Sequence, residues 1–197
     1  MSSRISGFWG RHWPDLSSQS DDRDEKMPVV SKAQAREVYE HSVLFHGTTL
    51  RSRRSIQRNG FRLENKSAGS ITAYAGIQSN FDAAVASSSH HYFAEKKEVA
   101  KRFARMVSRH CGDRPALVRT IGVMNHFAIE EDPDAGTSCL RTNEDIPSSH
   151  VFGSKGSPAE GNARIFKGEM EADGHNISLE EAGDLLRAVQ SDSDSDG

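Results

Sequence analysis

The nineteen residues from Val43 to Phe61, VLFHGTTLRSRRSIQRNGF, constrain this chain more than any other stretch. Val43, Leu44 and Phe45 form a short apolar run that fits a buried strand. Thr48 or Thr49 then offers a side-chain oxygen to N-cap a helix, and Asn59-Gly60 supplies a left-handed stop. A strand ending where a helix begins places His46 beside backbone N–H groups of the kind that hold ligands, and Gly47 lets a ligand approach the main chain. On residue chemistry alone, a single histidine in such a place is more often structural than catalytic. The helix carries Arg51, Arg53, Arg54 and Arg58, a basic face that reads either as a solvated surface or as a contact for phosphate or an acidic partner.

A chain of 197 residues can bury a real core in one domain. Only 35% of its residues are apolar and 27% are charged, so part of it is expected to stay unpacked. Residues 1–30 read as a disordered or loosely docked leader, with a polar tract from Ser17 to Lys26. Phe8, Trp9 and Trp13 within it suit docking on the domain or on a partner. Residues 31–190 form the expected domain, and residues 191–197 (SDSDSDG) an acidic disordered tail. No apolar run nears the roughly 18 residues of a membrane span, and the N-terminus has no hydrophobic signal core. The expectation is a cytoplasmic protein, or one secreted into a host cell as an effector, with no membrane partner. Cys111 and Cys139 fit reduced thiols rather than a disulfide framework.

The second informative stretch begins at Ser89-His90-His91-Tyr92-Phe93-Ala94. A short strand ends at Tyr92-Phe93, and Val99, Ala100, Phe103 and Val107 then recur at helical spacing. His90-His91 lacks acidic or histidine partners at ligand spacing, so no metal is expected. Residues 62–88 read as an irregular segment that could cover a site, and Pro115 to Val123 as a core strand. Glu130-Glu131-Asp132-Pro133-Asp134 is good turn chemistry. Residues 153–162 read as a loop and Ala163 to Lys167 as a last edge strand. Ser178 and Glu181 form a capping box for a helix whose apolar face holds Leu179, Leu185, Leu186 and Val189.

Strand, His46-Gly47-Thr48, then a helix with Ser55-Ile56 closing on Gly60-Phe61, resembles the opening of ADP-ribosyltransferases of the His-Tyr-Glu class. That class includes diphtheria toxin and the poly(ADP-ribose) polymerases; rifamycin ADP-ribosyltransferases and tRNA 2′-phosphotransferases share the opening. Tyr92-Phe93-Ala94 followed by a Val-Ala-x-x-Phe-Ala helix is similar to the second motif of the class. There two aromatics eleven positions apart sandwich nicotinamide, the spacing of Tyr92 and Phe103; aromatic faces hold a cationic pyridinium well. The resemblance is strongest over residues 41–152. It implies an α+β fold of two small, packed, antiparallel-rich sheets with flanking helices and a cleft for NAD⁺, used as substrate. It implies that His46 binds ribose, that Gly47 and Thr48 hold the nicotinamide side through the backbone, and that Tyr92, Phe93 and Phe103 line the ring site. For the acid, Glu144 precedes Ile146-Pro147 where the class carries its glutamate. Glu131 lies in an acidic run similar to that bearing the catalytic aspartate of the rifamycin enzymes. The activity implied is mono-ADP-ribosyl transfer by a toxin or effector, with a protein as acceptor rather than a nucleic acid. Small-molecule transfer, RNA 2′-phosphotransfer and NAD⁺ or ADP-ribose binding without turnover are the alternatives.

Overall fold

The computed structural model describes residues 30–65, 89–132, 139–153 and 158–195. Helix α1 (Lys32–Ser42) opens with a capping box, the Ser31 hydroxyl accepting from the Gln34 N–H and the Gln34 side chain from the Ser31 N–H. It buries Ala35, Val38 and Tyr39. Strand β1 (Val43–Thr49) outruns its apolar start. Thr48 and Thr49 are buried and pair with Ala116 and Pro115, which suits β-branched residues and extends the strand to its last position. His46 therefore stands in mid-strand, not at the strand end expected from sequence.

Helix α2 (Leu50–Asn59) starts at Thr49, whose hydroxyl accepts from the Ser52 N–H, and stops at Gly60. Gly60 has φ +77°, and a Cβ there would lie 2.2 Å from the Ile146 carbonyl oxygen, so glycine is required twice over. Strand β2 (His91–Ala94), helix α3 (Lys97–Cys111), strand β3 (Pro115–Ile121) and the single turn α4 (Val123–His126) follow. The strands β4 (Glu130–Glu131) and β5 (Cys139–Thr142) lead to helices α5 (Glu160–Ala172) and α6 (Leu179–Ser195).

The strands form one five-stranded antiparallel sheet in the order β3-β1-β2-β5-β4. Among the described residues the molecule is therefore α+β, with this one sheet and its flanking helices. The sheet is nevertheless weakly joined at its centre. β1 pairs with β3 along its full length but with β2 only at Phe45 opposite Ala94. Residues 163–167, expected as an edge strand, lie inside α5. Ala163, Phe166 and Met170 are buried there at a spacing of three and four, which only a helix puts on one face. The capping box at Ser178 and Glu181 forms, and α6 then runs on to Ser195, through the Ser-Asp stretch read as a disordered tail.

Alternation along β1 separates two cores. Val43 joins Ile121, Phe152 and the apolar faces of α1, α5 and α6. Leu44, from the other face, joins Phe61, Phe93, Val118, Leu140 and Ile146. Each such fully buried side chain contributes about 1.5–3 kcal/mol. Gly47 explains how α3 lies against the sheet. A Cβ at Gly47 would come 2.1 Å from the Ala100 carbonyl oxygen and 2.7 Å from the Ala104 nitrogen, so the helix backbone rests directly on β1.

Candidate active site

Beyond the Phe45–Ala94 pair, residues 46–48 of β1 and 91–93 of β2 have no ladder between them. A cavity of about 220 Å³ is lined by both strands at this fork. His46, Gly47, Thr48, Tyr92, Phe93 and Phe103, the six ligand-binding residues expected from sequence, all line it. Ser52, Ser55 and Ile56 of α2 add a second wall, and Val107 of α3 extends the first.

His46 ties the fork together, its Nδ1–H donating to the Tyr92 carbonyl oxygen at 2.7 Å. A carbonyl can only accept, so the proton sits on Nδ1. The ring is further set edge-on to Phe61, with centroids 5.1 Å apart and planes at 89°. Tyr92 lies two residues from Ala94 and so shares the sheet face of Phe45, the face α3 covers. Phe103 comes from that same helix, so Tyr92 and Phe103 meet the cavity from one side of the sheet. Phe93 points to the other face, is 2% exposed and packs on Phe61. It is a core aromatic that also borders the cavity. Beside Tyr92, Arg141 Nε donates to Glu130 at 2.7 Å, with His90 Nε2 3.7 Å from the same carboxylate.

The two expected acids do not line the cavity. Glu131 is exposed on the edge strand β4. Glu144 lies past the end of β5, where its carboxylate accepts from the Ala128 N–H at 2.8 Å, and it is exposed. Its neighbour Asp145 accepts from Leu63 N–H and Arg62. The carboxylate that does line the cavity is Asp132, which is 4% exposed. Its backbone N–H donates to the Cys139 carbonyl at 2.8 Å. Burial and the nearby Asp132 charge push the Cys139 thiol up from its ordinary range. The sequence signal for Asp132 was parity: Glu130 pairs with Arg141, opposite which lies Tyr92, and a residue two further on returns to that face. Without the pairing of β4 that signal is silent.

The start of α2, expected to offer free N–H groups to a ligand, is already filled. Leu50 N–H donates to the Arg114 carbonyl at 2.8 Å, Arg51 N–H to Asp113 at 2.9 Å, and Ser52 N–H to Thr49. The Arg51 and Arg114 N–H groups hold the Asp113 carboxyl below its ordinary value. A second hollow, bordered by Val38, Ser42, Asn125 and Glu169, has its buried carboxylate engaged by Ser42 and Asn125.

Among the described residues, no group of three His, Cys, Asp or Glu stands where it could hold a metal ion, and no helix is long and apolar enough to cross a membrane. Comparison with family models, curated proteins and solved structures returns no match.

Proposed function

We propose that the chain is an NAD⁺-dependent mono-ADP-ribosyltransferase that works at the cavity between β1 and β2, in the manner of a toxin or effector. The observation that carries this reading is convergence: His46, Gly47, Thr48, Tyr92, Phe93 and Phe103 border one cavity together with a buried carboxylate, Asp132. Such a cavity is small beside the roughly 300–1,000 Å³ of ordinary ligand pockets, which suits the nicotinamide–ribose end of the dinucleotide and leaves the adenosine end toward the mouth.

The chemistry follows from charge. The bond from ribose C1′ to the pyridinium nitrogen breaks, and its electron pair leaves with neutral nicotinamide. The ribose becomes an oxocarbenium-like cation, which a fixed carboxylate stabilises in a water-poor site. Tyr92 and Phe103 hold the ring, His46 a ribose hydroxyl, and Asp132 the developing cation. A nucleophile on the acceptor then bonds to C1′ and gives up its proton.

Asp132 also favours a second reading within the class. It lies in the Glu-Glu-Asp-Pro run similar to that of the rifamycin enzymes, which supports transfer to a small molecule. The decisive experiment incubates the protein with NAD⁺ labelled in the nicotinamide and, separately, in the adenylate. Release of nicotinamide by the wild type and its loss in Asp132→Asn support the proposal. Binding of NAD⁺ without release would make the domain a non-catalytic binder.

A further inference from the structure

We infer that α2 and α3 together form a binding surface for the phosphodiester backbone of a nucleic acid. Between Leu50 and Arg62 the chain carries five arginines and no acidic residue. Between Lys97 and Arg114 it carries four arginines and two lysines against Glu98 and Asp113. The whole chain has a net charge of −3, so this excess is a local concentration. The opposite excess sits on α5 and α6, with nine acidic residues against three basic ones from Glu160 to Ser195. Those helices pack on the Val43–Ile121 end of β1 and β3, whereas α2 departs from the Thr49–Pro115 end. Among the described residues the charge is thus polarised, and the basic end borders the cavity.

The arrangement of the arginines is regular. On α2, Arg51, Arg54 and Arg58 are exposed on the side away from Ser52, Ser55 and Ile56, which face the cavity. On α3, Arg102, Arg105 and Arg109 are exposed on the side away from Ala100, Phe103 and Ala104. Both stripes repeat the same three-then-four spacing, so neighbours on each stand about 5–6 Å apart at Cβ, close to the spacing of successive phosphates on a strand. The two helices are joined where Leu50 N–H and Arg51 N–H meet Arg114 and Asp113 of the turn after α3. Ion pairs among the described residues use Arg62 and Lys101 of these segments and none of the six stripe arginines. Arg53 adds a buried Nε–H that has no hydrogen-bond acceptor among the described residues.

Guanidinium groups match phosphate and carboxylate alike in a planar, two-point fashion, so the choice between a polyphosphate and an acidic protein rests on what else the surface offers. Protein interfaces are centred on buried aromatic or apolar anchors. The large apolar side chains exposed among the described residues are Met124 and Leu179, and neither lies on α2 or α3. The surface departs from the protein acceptor implied by resemblance. It stands on charge and spacing, independent of NAD⁺ turnover.

The test is fluorescence anisotropy of the full chain with labelled 20-nucleotide single-stranded RNA and a 20-base-pair DNA duplex, without NAD⁺, across salt concentrations. Binding with a log–log salt slope near −4 for the single strand is expected, since each of about six neutralised phosphates contributes about −0.7. Replacing Arg51, Arg54 and Arg58 together by Gln should cut that slope by about half. The matching change at Arg102, Arg105 and Arg109 should do the same, with unchanged thermal unfolding. Lysine replacements at the same positions keep the slope, which separates lost charge from lost folding. Preference between the strand and the duplex tells which backbone is taken. Absence of binding to both at 50 mM salt, or a slope untouched by either glutamine set, overturns the inference. So does equal binding of a polyglutamate peptide of the same charge, which would make this a site for an acidic protein.

Discussion

One step along a strand reverses the direction of a side chain, so Glu131 points to solvent at the sheet edge while Asp132 turns back into the cavity. If Asp132 stabilises an oxocarbenium-like cation, Asp132→Asn should retain NAD⁺ affinity within a few fold, because an amide still hydrogen-bonds ribose. Nicotinamide release should fall by about 10²-fold or more, the usual loss when a group aimed at developing charge is removed. Glu131→Gln and Glu144→Gln should release nicotinamide at the wild-type rate. Calorimetric titration with NAD⁺ and chromatography of the products measure both quantities; an inactive Glu144→Gln beside an active Asp132→Asn would return the role to Glu144. His46 has a double task, since its Nδ1–H spans the fork to Tyr92 and its ring borders the cavity. His46→Ala should abolish turnover while lowering stability by only about 0.5–1.5 kcal/mol, the net worth of one such bond. Denaturant unfolding beside the activity assay separates the two, and a fully active variant would leave His46 a purely structural tie.

At the scale of elements, the junctions carry most of the specificity. β1 and α3 touch backbone to backbone at Gly47, so Gly47→Ala should cost about 1–3 kcal/mol through forced displacement of α3. Because α3 brings Phe103 to the cavity, NAD⁺ binding should weaken in parallel; an unchanged unfolding curve would contradict that contact. At the start of α2, the lowered Asp113 pKa gives a pH signature. Its stabilising effect is complete above the unfolded value near 3.9 and is lost as pH falls through the lower folded value. Asp113→Asn should therefore unfold at a lower temperature than wild type at neutral pH, and the gap should close in acid. Thermal melts across that range report it. These junctions were only partly legible in the sequence. Thr49 and Gly60 announce the limits of α2 through capping and positive φ, both local properties. The length of β1 and the helical state of residues 163–167 were misread, because each depends on a partner: Ala116 and Pro115 for the strand, the α1–α6 layer for the helix.

For the whole molecule, the same division applies to the site. Tyr92 and Phe103 were legible because one strand–helix unit fixes both, at a spacing visible along the chain. Asp132 was not, since its place depends on β4 pairing with β5 and β5 with β2, two long-range registers that local sequence does not encode. The two cores differ in the same way in their distance from the site. Phe166 is fully buried among α1, α5 and α6 and borders no part of the cavity. Phe61 is equally buried, but its ring lies 5.1 Å from His46 and 5.3 Å from His91, and its backbone bridges to Ile146. Removing either ring entirely would cost about 3–5 kcal/mol, enough to threaten folding. Leucine keeps most of the burial and should cost about 1–2 kcal/mol at either position. The consequences for function should then part company. Under the proposed activity, Phe166→Leu should unfold earlier and still cleave NAD⁺ at the wild-type rate, because Phe166 ties the outer helices to the Val43–Ile121 end of the sheet and itself borders no part of the cavity. Phe61→Leu should lose a similar amount of stability and also turn over NAD⁺ several-fold more slowly, because the edge-on support of the His46 ring is gone. Urea unfolding gives the first quantity and nicotinamide release the second. Equal activity losses in the two variants would mean that the cores act as one, and that the cavity is not held by Phe61 in particular.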